Sequence, residues 1–221
     1  MSRPERALGG PFASSHPGRW IGLLGFVILV LITVNTVLTP SNGLTGLAPG
    51  TPLPPFAAPL ASGNLEGAVN VASHANDGLA RHAACTVRGP QVLNVCQLYE
   101  QGPVVLALFV DASACDKVLG EMQTLTAVYP TVRFAAVAIK GSRSSVRALV
   151  RSHRLTFPVG LDPEGVLPVL YKVATCPQLT FARRGGVVQS KALLTTPSPA
   201  QLRARVAQLV AAEAGHGGGV Q

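Results

Sequence analysis

The chain has 221 residues, of which 48% are hydrophobic, 13% charged and 5% aromatic. That length suits one domain with attachments, or at most two small domains. Its apolar content excludes disorder along the whole chain, and four cysteines are too few for a small disulfide-stapled scaffold. The 23 glycines and 18 prolines show no collagen period, and the formal charge of +8 comes from 18 basic residues, 14 of them Arg, against 10 acids.

Residues 20–38 read WIGLLGFVILVLITVNTVL, an uncharged run with Asn35 as its only strongly polar member. About 20 apolar residues cross the hydrocarbon core as a helix. Arg3, Arg6 and Arg19 precede the run, and no Lys or Arg follows until Arg81. This asymmetry predicts a cytoplasmic tail over 1–19, a single transmembrane anchor over 20–38, and the rest of the chain outside the cell membrane. A cleaved signal peptide is the alternative. Either way the domain is exported, where disulfides persist. Cys85, Cys96, Cys115 and Cys176 all lie beyond the run, so two bridges in three possible pairings are open to them.

Residues 39–50 are turn-rich and read as a linker. The proline-rich start of GTPLPPFAAPL, from residue 50, suits an extended arm. Residues 62–84 have no clear periodicity. CTVRGPQVLNVC, residues 85–96, reads as a β-hairpin turning at Pro90-Gln91. That register sets Cys85 opposite Cys96, close enough for a structural disulfide. Two buried thiols are the other reading.

VVLALFV, residues 104–110, reads as a strand buried on both faces. Cys115 follows in a short turn. Val118, Met122, Leu125 and Tyr129 form the stripe of a helix over 116–129. Residues 132–139 predict a second buried strand. Ser142 caps a helix over 143–154 whose apolar face is Val146, Leu149 and Val150. Residues 156–161 predict a third strand, 162–165 a turn, and 166–171 a short helix. Residues 178–182 and 187–194 flank RRGG as a hairpin. Ser198-Pro199 opens a last helix with Leu202, Val206, Leu209 and Val210 inward. The expected domain spans 51–213, with a flexible tail over 214–221. Alternating strands and helices imply parallel pairing with right-handed crossovers.

Three segments carry a resemblance. They are GTPLPPF, VVLALFVDASACDKVLGEMQTL and FPVGLDPEGVLPVLYKVATCPQLTFARRGGVV. On these the chain resembles the thioredoxin superfamily, and more narrowly its membrane-anchored extracytoplasmic redoxins (TlpA/ResA type, related to the AhpC/TSA group). The resemblance covers about residues 50–210. It implies an α/β fold with a central mixed sheet flanked by helices, here with an N-terminal transmembrane helix and an extra β-hairpin. It also implies a cis Pro177 whose loop lies against the active-site turn. The family's Cys-x-x-Cys is incomplete here, since Val118 stands in place of the second cysteine.

Cys115 falls where a helix begins, and the helix dipole there favours a thiolate. Asp116 opposes this and Lys117 partly offsets it. The resemblance brings Cys176 beside Cys115, and so implies a thiol–disulfide oxidoreductase with Cys115 as nucleophile and Cys176 as resolving thiol. Thr175, Pro177 and Ala114 are then the substrate-groove residues. A permanent bridge, or two thiols that never pair, are the alternatives for the same residues. A redox-inert scaffold and a peroxiredoxin-like peroxidase are the alternatives for the function. For the latter, Ala112 stands where the peroxiredoxin pattern has Thr. The implied partners are exported protein thiols or disulfides, or a redox partner protein, together with the membrane. No cofactor is implied. Two soft cysteine ligands without a spaced third give no metal site, and no aromatic interleaving supports nucleic acid. Arg143, Arg147, Arg151 and Arg154 form one helical stripe, read as a solvated face or a contact to anionic lipid.

Overall fold

Val104–Val110 contains no polar side chain and forms a strand buried at every position but the last. The computed structural model describes residues 22–31, 45–67, 70–71, 84–174, 176–193 and 195–217. In chain order the domain contains β1 (Phe56–Pro59), β2 (Asn70–Val71), a 3-10 turn (Ala84–Thr86), β3 (Val92–Asn94), α1 (Val95–Gln101) and β4 (Val104–Val110). It continues with α2 (Ser113–Val128), β5 (Arg133–Lys140), α3 (Arg143–Ser152), β6 (Val159–Leu161), α4 (Val166–Leu170), β7 (Gln178–Ala182) and α5 (Pro199–Gly217).

The main sheet has the order β6-β5-β4-β7. β4, β5 and β6 run parallel, and β7 is antiparallel to β4, with Leu106 opposite Thr180. Period-two alternation splits the core in two. Val105, Ala107 and Phe109 pack against α2, α3 and α5 through Leu119, Met122, Val146, Leu149, Leu202 and Val206. Val104, Leu106 and Leu108 pack on the other face against Phe56, Leu93, Leu167 and Tyr171. Each large side chain so buried contributes roughly 1.5–3 kcal/mol.

The second sheet, β2-β1-β3, is antiparallel. The extended arm predicted near residue 50 is therefore realised as β1, and Phe56 meets the fully buried Tyr171 edge-on at 5.9 Å. Tyr171 donates its hydroxyl proton to the Pro54 carbonyl at 2.7 Å.

Several expectations need correction. Residues 85–96 are not a hairpin. Cys85 sits in the 3-10 turn and Cys96 in the first turn of α1. Asn94 decides this, because its Oδ1 caps α1 at Gln97 N–H while its Nδ2 donates to the Ala84 and Val87 carbonyls. The described part of the expected linker, residues 45–50, belongs to the domain. Leu47 is buried, and the Gly46 and Gly50 N–H groups donate to the Lys172 and Val188 carbonyls. Helix α2 starts at Ser113, so Cys115 is helical. Helix α5 runs to Gly217, past the expected end at 213, and residues 218–221 lie outside the described residues.

After β7 the chain turns back at Gly185-Gly186, both at φ +82°. A Cβ on Gly186 would meet the Tyr99 ring at 2.8 Å, so only glycine fits. The return arm is tied to β7 by isolated bridges, Ala182 with Val188 and Leu179 with Leu193. Residues 50–53 pair along its outer side.

The N-terminal unit spans residues 1–42. Within it Gly22–Leu31 is helical with its apolar side chains exposed. The rest of the anchor predicted over 20–38 lies outside the described residues. Among the described residues no helix is long and apolar enough to cross a membrane.

Candidate active site

Strand β4 ends at Val110, and two residues later α2 begins with Ala112 as its N-cap. This short connection puts Cys115 in the first turn of α2, at the carboxyl edge of the parallel strands, where open α/β sheets usually place their sites. The Cys115 N–H donates to the Ala112 carbonyl at 2.8 Å. The residue is 2% exposed and belongs to the core cluster with Phe109, Val118 and Leu119.

Cys176 comes from the loop between α4 and β7, and its peptide bond to Pro177 is cis. Buried Gln178 fixes this loop. Its Nε2 donates to the Tyr171 carbonyl at 2.8 Å, and its Oε1 accepts the Ala174 N–H at 3.2 Å. The loop thereby reaches across the end of β4. Cys115 and Cys176 are joined as a disulfide with a Cα–Cα distance of 5.9 Å, 61 residues apart in sequence. The Val110 N–H donates to Cys176 Sγ at 3.0 Å. Cys176 is half-buried and packs at the rim of the core.

The electrostatics come from three neighbours. Burial raises the Asp116 carboxyl above its usual range, His153 works against that, and Asp111 adds to it. Asp116 Oδ1 is buried without a hydrogen-bond partner. One strand over, a cavity of about 390 Å³ opens at the ends of β5 and β6, lined by Pro59, Lys140, Gly141, Arg143 and Asp162 among others.

Of the residues singled out from sequence, Cys115, Cys176 and Pro177 come together. The backbone of Ala114 lies in the first turn of α2. Its side chain, and Thr175 altogether, lie outside what the structure describes. Cys85 and Cys96 are bonded, 5.3 Å apart at Cα, on the other side of the sheet near Tyr99. Among the described residues no group of three His, Cys, Asp or Glu side chains is placed to hold a metal. Val110 and Gln178 were not singled out. Val110 acts through its backbone N–H, which every non-proline residue carries, so no sequence signal marks it.

Half of the arginine stripe is solvated, since Arg151 and Arg154 are exposed, whereas Arg143 and Arg147 are engaged by the fold. Arg143 donates to the Leu60, Gly63 and Leu65 carbonyls, and Arg147 to those of Ala61 and Gly63 and to Asn64 Oδ1. These two side chains strap the loop after β1 onto α3.

No protein-family model and no curated protein sequence matches the chain. Solved structures do. A chain from Chlorobium tepidum assigned as the thiol:disulfide interchange protein DsbE is 19% identical, with 76% of this chain and 98% of that one covered, at a TM-score of 0.55. The thioredoxin domain of thiol-disulfide oxidoreductase BVU-2223 from Bacteroides vulgatus is 10% identical over 74% and 99%, at 0.55. Peroxidoxin BcpB from Mycobacterium tuberculosis is 13% identical over 75% and 97%, at 0.56. The domain has the thioredoxin fold. Within that fold, Val118 occupies the position expected for the second cysteine of a Cys-x-x-Cys pair. It is 2% exposed and packed in the core. The sulfur that meets Cys115 in this thioredoxin fold comes from the cis-proline loop instead.

Proposed function

We propose that the protein is a membrane-tethered, extracytoplasmic thiol–disulfide oxidoreductase in which Cys115 and Cys176 form the redox pair. The observation that carries this reading is the disulfide between the first turn of α2 and the residue before cis Pro177. A helix start stabilises a thiolate on Cys115, and the Val110 N–H stabilises one on Cys176. Both halves of a dithiol–disulfide exchange are therefore provided for. Pro177, with Thr175 and Ala114, forms the substrate groove in this reading, and the partners are exported protein thiols or disulfides. Cys85–Cys96 is a structural clip between the 3-10 turn and α1.

Support for the tether comes from the uncharged run at 20–38, from the arginines that precede it, and from the exposed Leu23, Leu24, Phe26, Leu29 and Leu31 on the helical segment. The orientation then follows from the charge asymmetry, with the N-terminus cytoplasmic and the domain outside the cell membrane.

The test is turnover on a disulfide-bonded reporter protein with a thiol co-substrate. Cys115→Ser and Cys176→Ser should both fall to background, whereas the Cys85→Ser/Cys96→Ser double variant should retain activity. Undiminished exchange by Cys115→Ser would refute the enzyme reading and leave a scaffold.

A further inference from the structure

We propose that Cys176, and not Cys115, carries the mixed disulfide with substrate, and that Cys115 is the buried partner that leaves or resolves. This rests on the redox reading above and reverses the roles expected from sequence. Thiol–disulfide exchange is an in-line displacement, so the attacked sulfur must present open space on the side away from its partner. Cys115 has almost none, at 2% exposure within a cluster that includes Phe109, Val118 and Leu119. Cys176 lies at the rim and keeps partial exposure.

In the oxidising direction a substrate thiolate attacks Cys176 Sγ. The Cys115–Cys176 bond breaks and Cys115 departs with the electron pair as a thiolate. Its place in the first turn of α2 suits a leaving anion, since the helix dipole lowers the basicity of a sulfur there. A second substrate thiolate then attacks the substrate sulfur of the mixed disulfide and expels Cys176 as a thiolate. The Val110 N–H, 3.0 Å away, receives that charge. Two electrons pass from the substrate dithiol to the protein pair, and the substrate leaves as a disulfide. In the reducing direction Cys176 thiolate attacks the substrate disulfide, and Cys115 thiolate then closes on Cys176. Microscopic reversibility gives the same mixed disulfide whichever way electrons flow.

The test uses the full chain, with glutathione as probe. Folded Cys115→Ser, which leaves Cys176 free, should form a glutathione mixed disulfide faster than Cys176→Ser by at least about tenfold. The two rates should converge in denaturant, which ties the difference to the fold. Equal rates in the folded variants, or a faster Cys176→Ser, overturn the assignment. A second arm needs no variant. Wild-type protein opened with reduced glutathione and quenched by alkylation should carry glutathione on the Cys176 peptide and the alkyl group on the Cys115 peptide. The reverse pattern also overturns it. A wild-type bond that no glutathione ratio opens sinks the redox reading, while the ranking of the variants still decides which sulfur is reachable.

Discussion

The Val110 backbone N–H points at Cys176 Sγ across 3.0 Å, so the last residue of the central strand holds the cis-proline loop by a hydrogen bond to the same sulfur that Cys115 of α2 holds by a disulfide. The strand end is thus part of the site, although no side chain of Val110 takes part. A main-chain donor cannot be removed by substituting its own residue, except by proline. The loop side can be tested, through Gln178. Gln178→Leu removes the bonds to the Tyr171 carbonyl and the Ala174 N–H. Faster amide exchange at Ala174 and Cys176 and a slower thiol-exchange rate are expected, with Cys85–Cys96 unaffected.

The two disulfides close loops of different length, 61 residues for Cys115–Cys176 and 11 for Cys85–Cys96. Chain entropy assigns about 4 kcal/mol to the longer and about 3 kcal/mol to the shorter. The Cys85→Ser/Cys96→Ser variant should therefore melt roughly 5–10 °C lower while keeping its thiol-exchange activity. Thermal unfolding followed by circular dichroism reads the first effect, and turnover of the reporter reads the second.

Asp116 carries a pH signature. Its folded-state carboxyl is raised, chiefly by burial, so the native state holds its proton more tightly than the unfolded chain. Stability from this group is full below the unfolded value and declines as pH rises through the folded value. Asp116→Asn removes the penalty above that window. A melting temperature higher by about 1–2 °C at neutral pH, with no gain at the acid end, is the expected result. An equal gain at both ends would show that the effect is not ionisation.

Asp162 is nearly inaccessible, and its two carboxylate oxygens accept the Val166 and Leu167 N–H groups that open α4. Asp162→Ala leaves both donors unsatisfied and should cost about 1–2 kcal/mol in denaturant unfolding. Asp162→Asn keeps one acceptor and should cost less.

The strap from α3 is open to the same kind of test. Arg143→Ala removes three bonds to the carbonyls of Leu60, Gly63 and Leu65. Amide exchange over residues 60–66 should accelerate while α3 itself, capped by Ser142 at Ser145 N–H, stays protected. No change in that loop would mean the strap is redundant with Arg147.

The strands and helices that were legible in sequence are those whose pattern is local. VVLALFV and FAAVAI announced β4 and β5 by unbroken apolar runs, and Ser142 and Ser198-Pro199 announced helix starts by capping chemistry. Residues 85–96 misled because two cysteines at a plausible cross-strand register outweighed Asn94, a residue that also caps helices. The bond is compatible with either geometry, since the observed Cα separation of 5.3 Å and the usual spacing of cross-strand partners both fall in the range a disulfide spans. Leu47, Arg143 and Arg147 depart from their expected settings for another reason. Their partners are backbone carbonyls and core side chains brought from far along the chain, and no window of sequence contains them. At the site, the two sulfurs were paired by resemblance, whereas their unequal exposure depends on how α2 and the last loop pack and is absent from any motif.

The central claim is that Cys115 and Cys176 cycle between dithiol and disulfide. Its most direct measurement is equilibration of the full chain across a series of thiol–disulfide redox buffers, with each cysteine state read by alkylation and mass mapping. The account predicts that Cys115–Cys176 titrates reversibly at a potential above about −300 mV, the level below which structural disulfides typically sit, while Cys85–Cys96 remains oxidised. A Cys115–Cys176 bond that opens only together with Cys85–Cys96, or only on unfolding, would contradict it.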